Sequence, residues 1–284
     1  MHGKTVLITG STAGIGKETA RALVARGAHV ILVGRDPRRA EAAAEELARG
    51  TGRAEAMTAD VFGLRGLRDL AARVRERGGR LDALVNNAGA NTDRRRLTAD
   101  GVETMFAAHV LAPYTLTREL LPLLRGGGRV VNVTGGIPGA PIELDNLQAE
   151  KRFMGWTFSQ YNHTKTMLMA MSHRMAERLR EHDVAVNVVY PGHGDTPMNR
   201  QVAMSAFPYV YRPLAPLVRL IAPLAFGDLA KPARSSVHLA ASAEVAGVSG
   251  AYFGQNLRHR PWPRTVLDER VRDAVWDLCE KLSA

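Results

Sequence analysis

The stretch Thr5-Val6-Leu7-Ile8-Thr9-Gly10-Ser11-Thr12-Ala13-Gly14-Ile15-Gly16 decides the fold. Its first five residues are apolar or β-branched, the composition of a buried strand. Three glycines follow at the spacing Gly-x3-Gly-x-Gly, and a helical pattern then runs from Ile15 to Ala25 and closes at Gly27. Strand, glycine-rich turn and helix in that order open a dinucleotide-binding βαβ unit. The glycines let the backbone approach a diphosphate, which lies at the amino end of the helix where free N–H groups and the dipole favour an anion. Gly10, Thr12, Gly14, Ile15 and Gly16 are the first candidate cofactor contacts.

Working outward, the alternation continues. A strand at His29 to Val33 ends in Gly34-Arg35-Asp36, and a helix from Pro37 to Arg49 carries proline in its first turn. Ala54 to Thr58 is a strand leading into Asp60-Val61, Leu64 to Arg77 a helix, and Leu81 to Val85 a strand ending in Asn86-Asn87-Ala88-Gly89. Asp100 to Leu124 is expected as one long helix, limited or bent by Pro113 and Pro122. Arg129 to Thr134 is a fifth strand, a helix extends to about His182, and Val184 to Tyr190 runs into Pro191-Gly192-His193-Gly194-Asp195-Thr196. A helix at Lys231 to Ala243 and a last strand at Gly250 to Phe253 follow. Strands alternating with helices of about a dozen residues predict a parallel sheet covered on both faces. The fold class is therefore α/β: a Rossmann-type, doubly wound, seven-stranded parallel sheet in a single domain over residues 1–284.

Two segments lie outside this rhythm. Residues from about 200 to 228 contain several prolines and aromatics and the apolar run Leu214 to Phe226, broken by Arg219. A run this short cannot span a bilayer, so it is read as a lid over an apolar substrate, with peripheral membrane contact as the alternative. From about 263 to 284 the positions Leu267, Val271, Val275, Leu278 and Leu282 form one helical stripe that packs on the body or on a neighbouring subunit.

Composition narrows the function. Of 38 basic residues six are lysines, and the net charge is +10. The arginines are dispersed, and Arg94 to Arg96, the densest cluster, has no aromatic interleaving, so the surplus suits an anionic cofactor or substrate better than nucleic acid. The chain shows no leader pattern and no integral membrane segment. A single cysteine, Cys279, excludes an intramolecular disulfide and a cysteine-ligated metal cluster. A cytoplasmic protein without a metal is expected.

Tyr161-Asn162-His163-Thr164-Lys165 carries the chemistry. A spacing of four puts phenol and ammonium on one helix face, about 5–6 Å apart at Cβ. A lysine cation there favours the phenolate, so Tyr161 is expected to have a lowered pKa and to act as an acid or base near neutrality. At the end of the second strand, an acid would hold an NAD ribose hydroxyl; Arg35 suits a 2′-phosphate instead, which favours NADP, while Asp36 keeps NAD possible.

Taken together, these residues resemble the short-chain dehydrogenase/reductase family, and within it the retinol dehydrogenase type. The resemblance rests on Thr9-Gly10-x3-Gly14-Ile15-Gly16, Asp60-Val61, Asn86-Asn87-Ala88-Gly89, Tyr161-x3-Lys165, and Pro191-Gly192 with Thr196, in the family's order; Ser235 to Phe253 is similar too. It implies hydride transfer between a nicotinamide and a carbonyl or alcohol carbon. Tyr161 would act at the substrate oxygen and Lys165 would hold the nicotinamide ribose. Asp60 and Val61 would lie at the adenine, Asn87, Ala88 and Gly89 along the adenosine, and Pro191, Gly192, Gly194 and Thr196 at the nicotinamide end. It also implies homodimers or homotetramers, paired through residues 100–124 and 159–182.

Two family positions differ. Gly135 stands where the resemblance expects a serine that donates to the substrate oxygen, and His109 where it expects an asparagine that positions a water. Thr134, His109, His163 or His193 are candidates to compensate. Two accounts follow. The first is an NADP(H)-dependent reductase of a bulky lipophilic ketone, quinone or polyketide-like molecule. In the second, Tyr161 and Lys165 serve a non-redox isomerisation, dehydration or cyclisation, or the chain binds cofactor as a sensor.

Overall fold

The computed structural model describes residues 1–137, 139–153, 159–194, 196 and 227–284. The lid expected at about residues 200 to 228 falls outside the described residues but for its last two positions, as does Asp195. The first half follows the expected rhythm: β1 (Thr5–Thr9), α1 (Gly14–Val24), β2 (His29–Gly34), α2 (Pro37–Leu47), β3 (Arg53–Thr58), α3 (Leu64–Glu76) and β4 (Ala83–Asn86). The second half continues with α4 (Thr104–Phe106), α5 (Ala112–Leu124), β5 (Gly128–Val133), α6 (Ser159–Arg178), β6 (Val184–Val189), α7 (Ala230–Ala241), β7 (Tyr252–Phe253) and β8 (His259–Arg260).

The strands form one sheet in the order β3-β2-β1-β4-β5-β6-β7-β8, parallel except for the last pair. Alternate strand residues face opposite sides. Val6, Ile8, Val30, Leu32, Val131 and Val133 pack under α1, α2 and α7. Leu7, Ile31, Leu84, Val130 and Val186 pack under α3, α5 and α6. Strand order reverses between β1 and β4, and such a switch point opens a crevice beyond the carboxyl ends of the strands. Both the glycine-rich turn after β1 and Asn86–Gly89 after β4 lie there.

Four departures from the expected pattern have physical causes. An eighth strand is added because the chain turns back at Leu257, where φ is +64°, and pairs Tyr252 with Arg260 and Phe253 with His259. The helix expected from Asp100 starts at Thr104, because residues 97–103 close a small bridge between Leu97 and Glu103 and the buried Glu103 carboxylate caps Met105 and Phe106 at 3.0 and 2.8 Å. It then passes through a π-helical turn, Ala107–Leu111, before α5. Pro113 lacks the N–H that would bond the His109 carbonyl and its ring crowds that carbonyl, so the helix widens there. The C-terminal segment divides at Asp268, whose side chain accepts from Arg270 N at 3.0 Å and starts a helix at Glu269–Ser283.

This last helix covers α5 and α6 of its own chain. Trp276 meets Tyr114 edge-on at 4.9 Å, Arg272 bonds Glu177 at 2.6 Å, Arg174 pairs with Asp273, and Cys279 is buried. Among the described residues no helix is long and apolar enough to cross a membrane.

Candidate active site

The cofactor end is a set of close backbone approaches. Gly10 has φ +65°, and a Cβ there would stand 2.9 Å from Ala88 Cα. A Cβ on Gly16 would stand 2.4 Å from Asn87 Nδ2 and 2.5 Å from the Gly10 carbonyl. The Asn87 amide donates to the carbonyls of Thr9 and Gly10 at 3.0 and 3.1 Å, while Thr9 Oγ1 accepts from the N–H groups of Asn87 and Ala88, both at 3.0 Å. The turn is therefore fixed across the switch point. No side chain caps α1 and its first turn holds no acid, so its amino end keeps N–H groups and dipole for an anion. Thr12 packs against Gly34, where a Cβ would meet Thr12 Cγ2 at 2.4 Å, and Ile15 reaches toward Gly194.

Arg35, at the end of β2, lays its guanidinium over Phe62, 4.9 Å from the ring centroid. Asp36 is turned the other way: its Oδ1 caps α2 by accepting from Arg39 N at 3.2 Å. Asp60 closes its own turn by accepting from Phe62 N at 3.1 Å, with Val61 buried beside it. Pro191 is buried, Gly192 has φ +86°, and Thr196 N donates to the Gly194 carbonyl at 3.0 Å.

Tyr161 and Lys165 lie one turn apart on α6, and Lys165 Nζ stands 5.8 Å from the Tyr161 ring centroid. The lowered tyrosine pKa expected from this pairing is not what the site gives. Burial pushes the Tyr161 phenol well above its ordinary range, with a contribution from the Tyr190 phenol, and burial pulls the Lys165 ammonium down to about 7. Lys165 donates to the Val133 carbonyl at 3.0 Å rather than to Tyr161. Desolvation of both groups outweighs their attraction, and Tyr161 is held protonated at neutral pH.

The candidate substitutes for a serine separate clearly. A Cβ on Gly135 would stand 2.7 Å from the Tyr161 hydroxyl, so residue 135 faces the reacting phenol and the phenol fills the space beside it. Thr134 does not slip into that role; its hydroxyl meets the Lys165 carbonyl at 3.4 Å. His109 is buried against Tyr161, ring centroids 5.1 Å apart. Its Nε2 accepts from Ala90 N at 3.2 Å, so Nδ1 carries the proton and donates to Thr164 Oγ1 at 2.8 Å. Burial, and then the Lys165 charge, hold its pKa well below the ordinary value. With both nitrogens engaged, His109 is a neutral brace between the loop after β4 and α6, not a titrating group. His163 accepts from Glu143 N at 3.1 Å and holds the loop after β5.

Sequence reasoning missed Tyr190 and, over its ring, Arg260, and the buried chain Asn86 to Asn132 to Ser172, each bond 2.8 Å, beneath the site. Alternation from the buried Val188 could have put Tyr190 on the α6 side; nothing local announces Arg260. A cleft of about 580 Å3 between α1 and α7, lined by Arg21, Arg26, Arg234 and His238, lies on the opposite sheet face from these groups.

Known proteins share sequence and fold with this chain. Residues 4–205 match the short chain dehydrogenase family. The chain is 34% identical over 298 residues to retinol dehydrogenase 14 of Homo sapiens, covering 99% of this chain and 86% of that one. It is 32% identical over 278 residues to a candidate daunorubicin C-13 ketoreductase, DnrU, of Streptomyces sp. (strain C5), covering 98% and 91%. Among solved structures, the Pseudomonas aeruginosa RhlG/NADP active-site complex superposes with a TM-score of 0.68 at 26% identity, covering 89% of this chain and 95% of that one. Fold, crevice and sequence agree: the chain belongs to the short-chain dehydrogenase family and is of the retinol-dehydrogenase-like kind.

Proposed function

We propose that this protein is an NADPH-dependent reductase that converts a carbonyl of a bulky lipophilic ketone, quinone or polyketide-like molecule to the alcohol. The observation that carries the reading is the Tyr161 hydroxyl, one helical turn from Lys165 and facing Gly135 at the same crevice as the glycine-rich turn.

The residues fit the cofactor. The uncapped amino end of α1 suits its diphosphate. The Arg35 guanidinium at the end of β2 supports a 2′-phosphate, whereas an NAD ribose hydroxyl would compete with α2 for the Asp36 carboxylate. Asp60, Val61 and Asn87 to Gly89 would border the adenosine, and Lys165, Pro191, Gly192, Gly194 and Thr196 the nicotinamide end. When bound, NADPH supplies the hydride to the substrate carbon. Tyr161 gives its proton to the substrate oxygen, and the resulting phenolate favours the charged form of Lys165, whose own pKa of about 7 lets it take up a proton as Tyr161 loses one.

The bulky substrate is supported by relatives named for retinol and for the C-13 ketone of daunorubicin. The lone buried thiol of Cys279 accords with a cytoplasmic setting. A homodimer or homotetramer is the assembly expected of it.

The test is isotope transfer. NADPH deuterated at nicotinamide C4, incubated with a panel of lipophilic ketones and quinones, is expected to deliver deuterium to the new alcohol carbon. Turnover of a substrate without deuterium in the product would instead support the non-redox reading.

A further inference from the structure

Tyr190 is a phenol at the site that the reading above leaves without a task. It follows β6, and Thr134 N donates to the Val189 carbonyl at 2.9 Å, so Tyr190 stands one strand across from Gly135. Val188 and Tyr190 share a strand face and pack with Met169 of α6, whose stripe at spacing four also holds Lys165 and Tyr161. Helix α6 runs opposite to β6, which brings Tyr161 and Tyr190 together at the carboxyl edge of the sheet. The Tyr190 phenol lies close enough to contribute to the raised pKa of Tyr161.

Two basic side chains set its orientation. Tyr190 Oη is 3.4 Å from His193 Nε2, with the rings edge-on at 6.3 Å. The Arg260 guanidinium lies 5.9 Å from the Tyr190 ring centroid and 5.6 Å from that of Tyr252. Burial raises the Tyr190 pKa, and the Arg260 charge works partly against that rise.

We propose that the Tyr190 hydroxyl donates to the substrate carbonyl oxygen the hydrogen bond that Gly135 has no side chain to give, with His193 and Arg260 as positioning residues. The inference rests on carbonyl reduction at Tyr161. Only Tyr161 transfers its proton; Tyr190 keeps its own and stabilises the negative charge that builds on the oxygen as the hydride arrives. A hydrogen bond donated by His193 Nε2 to the Tyr190 oxygen would leave the phenolic proton for the substrate.

The experiment is steady-state NADPH oxidation over the ketone and quinone panel with wild type, Tyr161→Phe, Tyr190→Phe, Gly135→Ser and the double variant Gly135→Ser/Tyr190→Phe, together with NADPH binding by fluorescence. Tyr190→Phe is expected to lower kcat by about 10²–10³ with NADPH affinity unchanged. In the Gly135→Ser background the same change should cost much less, since a serine hydroxyl then makes the bond. A Tyr190→Phe enzyme as fast as wild type, while Tyr161→Phe is dead, overturns the inference and leaves the reductase reading standing. So does a loss confined to KM, or one of the same size with serine present. If Gly135→Ser is itself inactive, the division between kcat and KM in Tyr190→Phe decides alone. Wild type without turnover on any carbonyl overturns the reductase reading and the inference with it.

Discussion

The two ends of the crevice are built by different means. At the cofactor end one stretch does most of the work: Gly10 and Gly16 close against Ala88 and Asn87, and the Asn87 amide ties both carbonyls of the turn. At the substrate end no stretch suffices. Gly135 follows β5, Tyr161 and Lys165 come from α6, Tyr190 follows β6, and Arg260 comes from β8. A binding site for a common cofactor can be a rigid local motif, whereas a site for a particular substrate is assembled from side chains whose sequence spacing says little.

The comparison breaks first at the glycines. Gly16→Ala drives a Cβ to 2.4 Å from Asn87 Nδ2 and 2.5 Å from a backbone carbonyl, neither of which can yield cheaply. It should abolish NADPH binding and lower stability by about 1–3 kcal/mol, read by fluorescence titration and thermal unfolding. Gly135→Ala makes a contact just as short on paper, 2.7 Å, but with the far end of a tyrosine. It should keep the fold and NADPH affinity and change only turnover. Equal losses of NADPH binding in the two variants would erase the distinction between the ends.

Arg35 sharpens the cofactor end. Arg35→Ala should weaken NADPH binding by about tenfold to a hundredfold and leave NADH binding unchanged, as expected for loss of one charged hydrogen-bonding group. If both cofactors weaken equally, the guanidinium acts through Phe62 packing and not through a 2′-phosphate.

Lys165 gives the smallest effect and reports on the substrate end. Its folded pKa of about 7 lies below the ordinary lysine value of 10.5. Between those values the unfolded chain binds more protons than the folded protein, so stability rises with pH, by at most about 1.4 kcal/mol per pH unit. Cofactor-free wild type should therefore melt higher at pH 9 than at pH 7, and Lys165→Met should flatten that slope. An unchanged slope in Lys165→Met would mean that burial does not suppress its charge.

These differences also explain what the sequence made legible. The strand–turn–helix opening, the alternation of elements and the Tyr161–Lys165 pair follow from short-range periodicity, and the doubly wound parallel sheet followed from them. Three features did not. The eighth strand depends on a two-residue pairing far too short to carry a pattern. The π turn comes from Pro113 acting on a helix already formed. The pKa order of Tyr161 and Lys165 is set by burial, and spacing alone suggested the opposite sign. Tyr190 was in plain view before Pro191-Gly192, but its task depends on the missing side chain at Gly135 one strand away.

The most direct measurement is the loss of reduced-nicotinamide absorbance with wild type, Tyr161→Phe and Gly135→Ser side by side over lipophilic ketones and quinones. The account predicts wild-type turnover that falls by about 10²–10⁴ in Tyr161→Phe while NADPH still binds. Wild type that binds NADPH yet oxidises it with none of these carbonyls, and gains turnover only in Gly135→Ser, would contradict it and point to acid–base chemistry without hydride transfer.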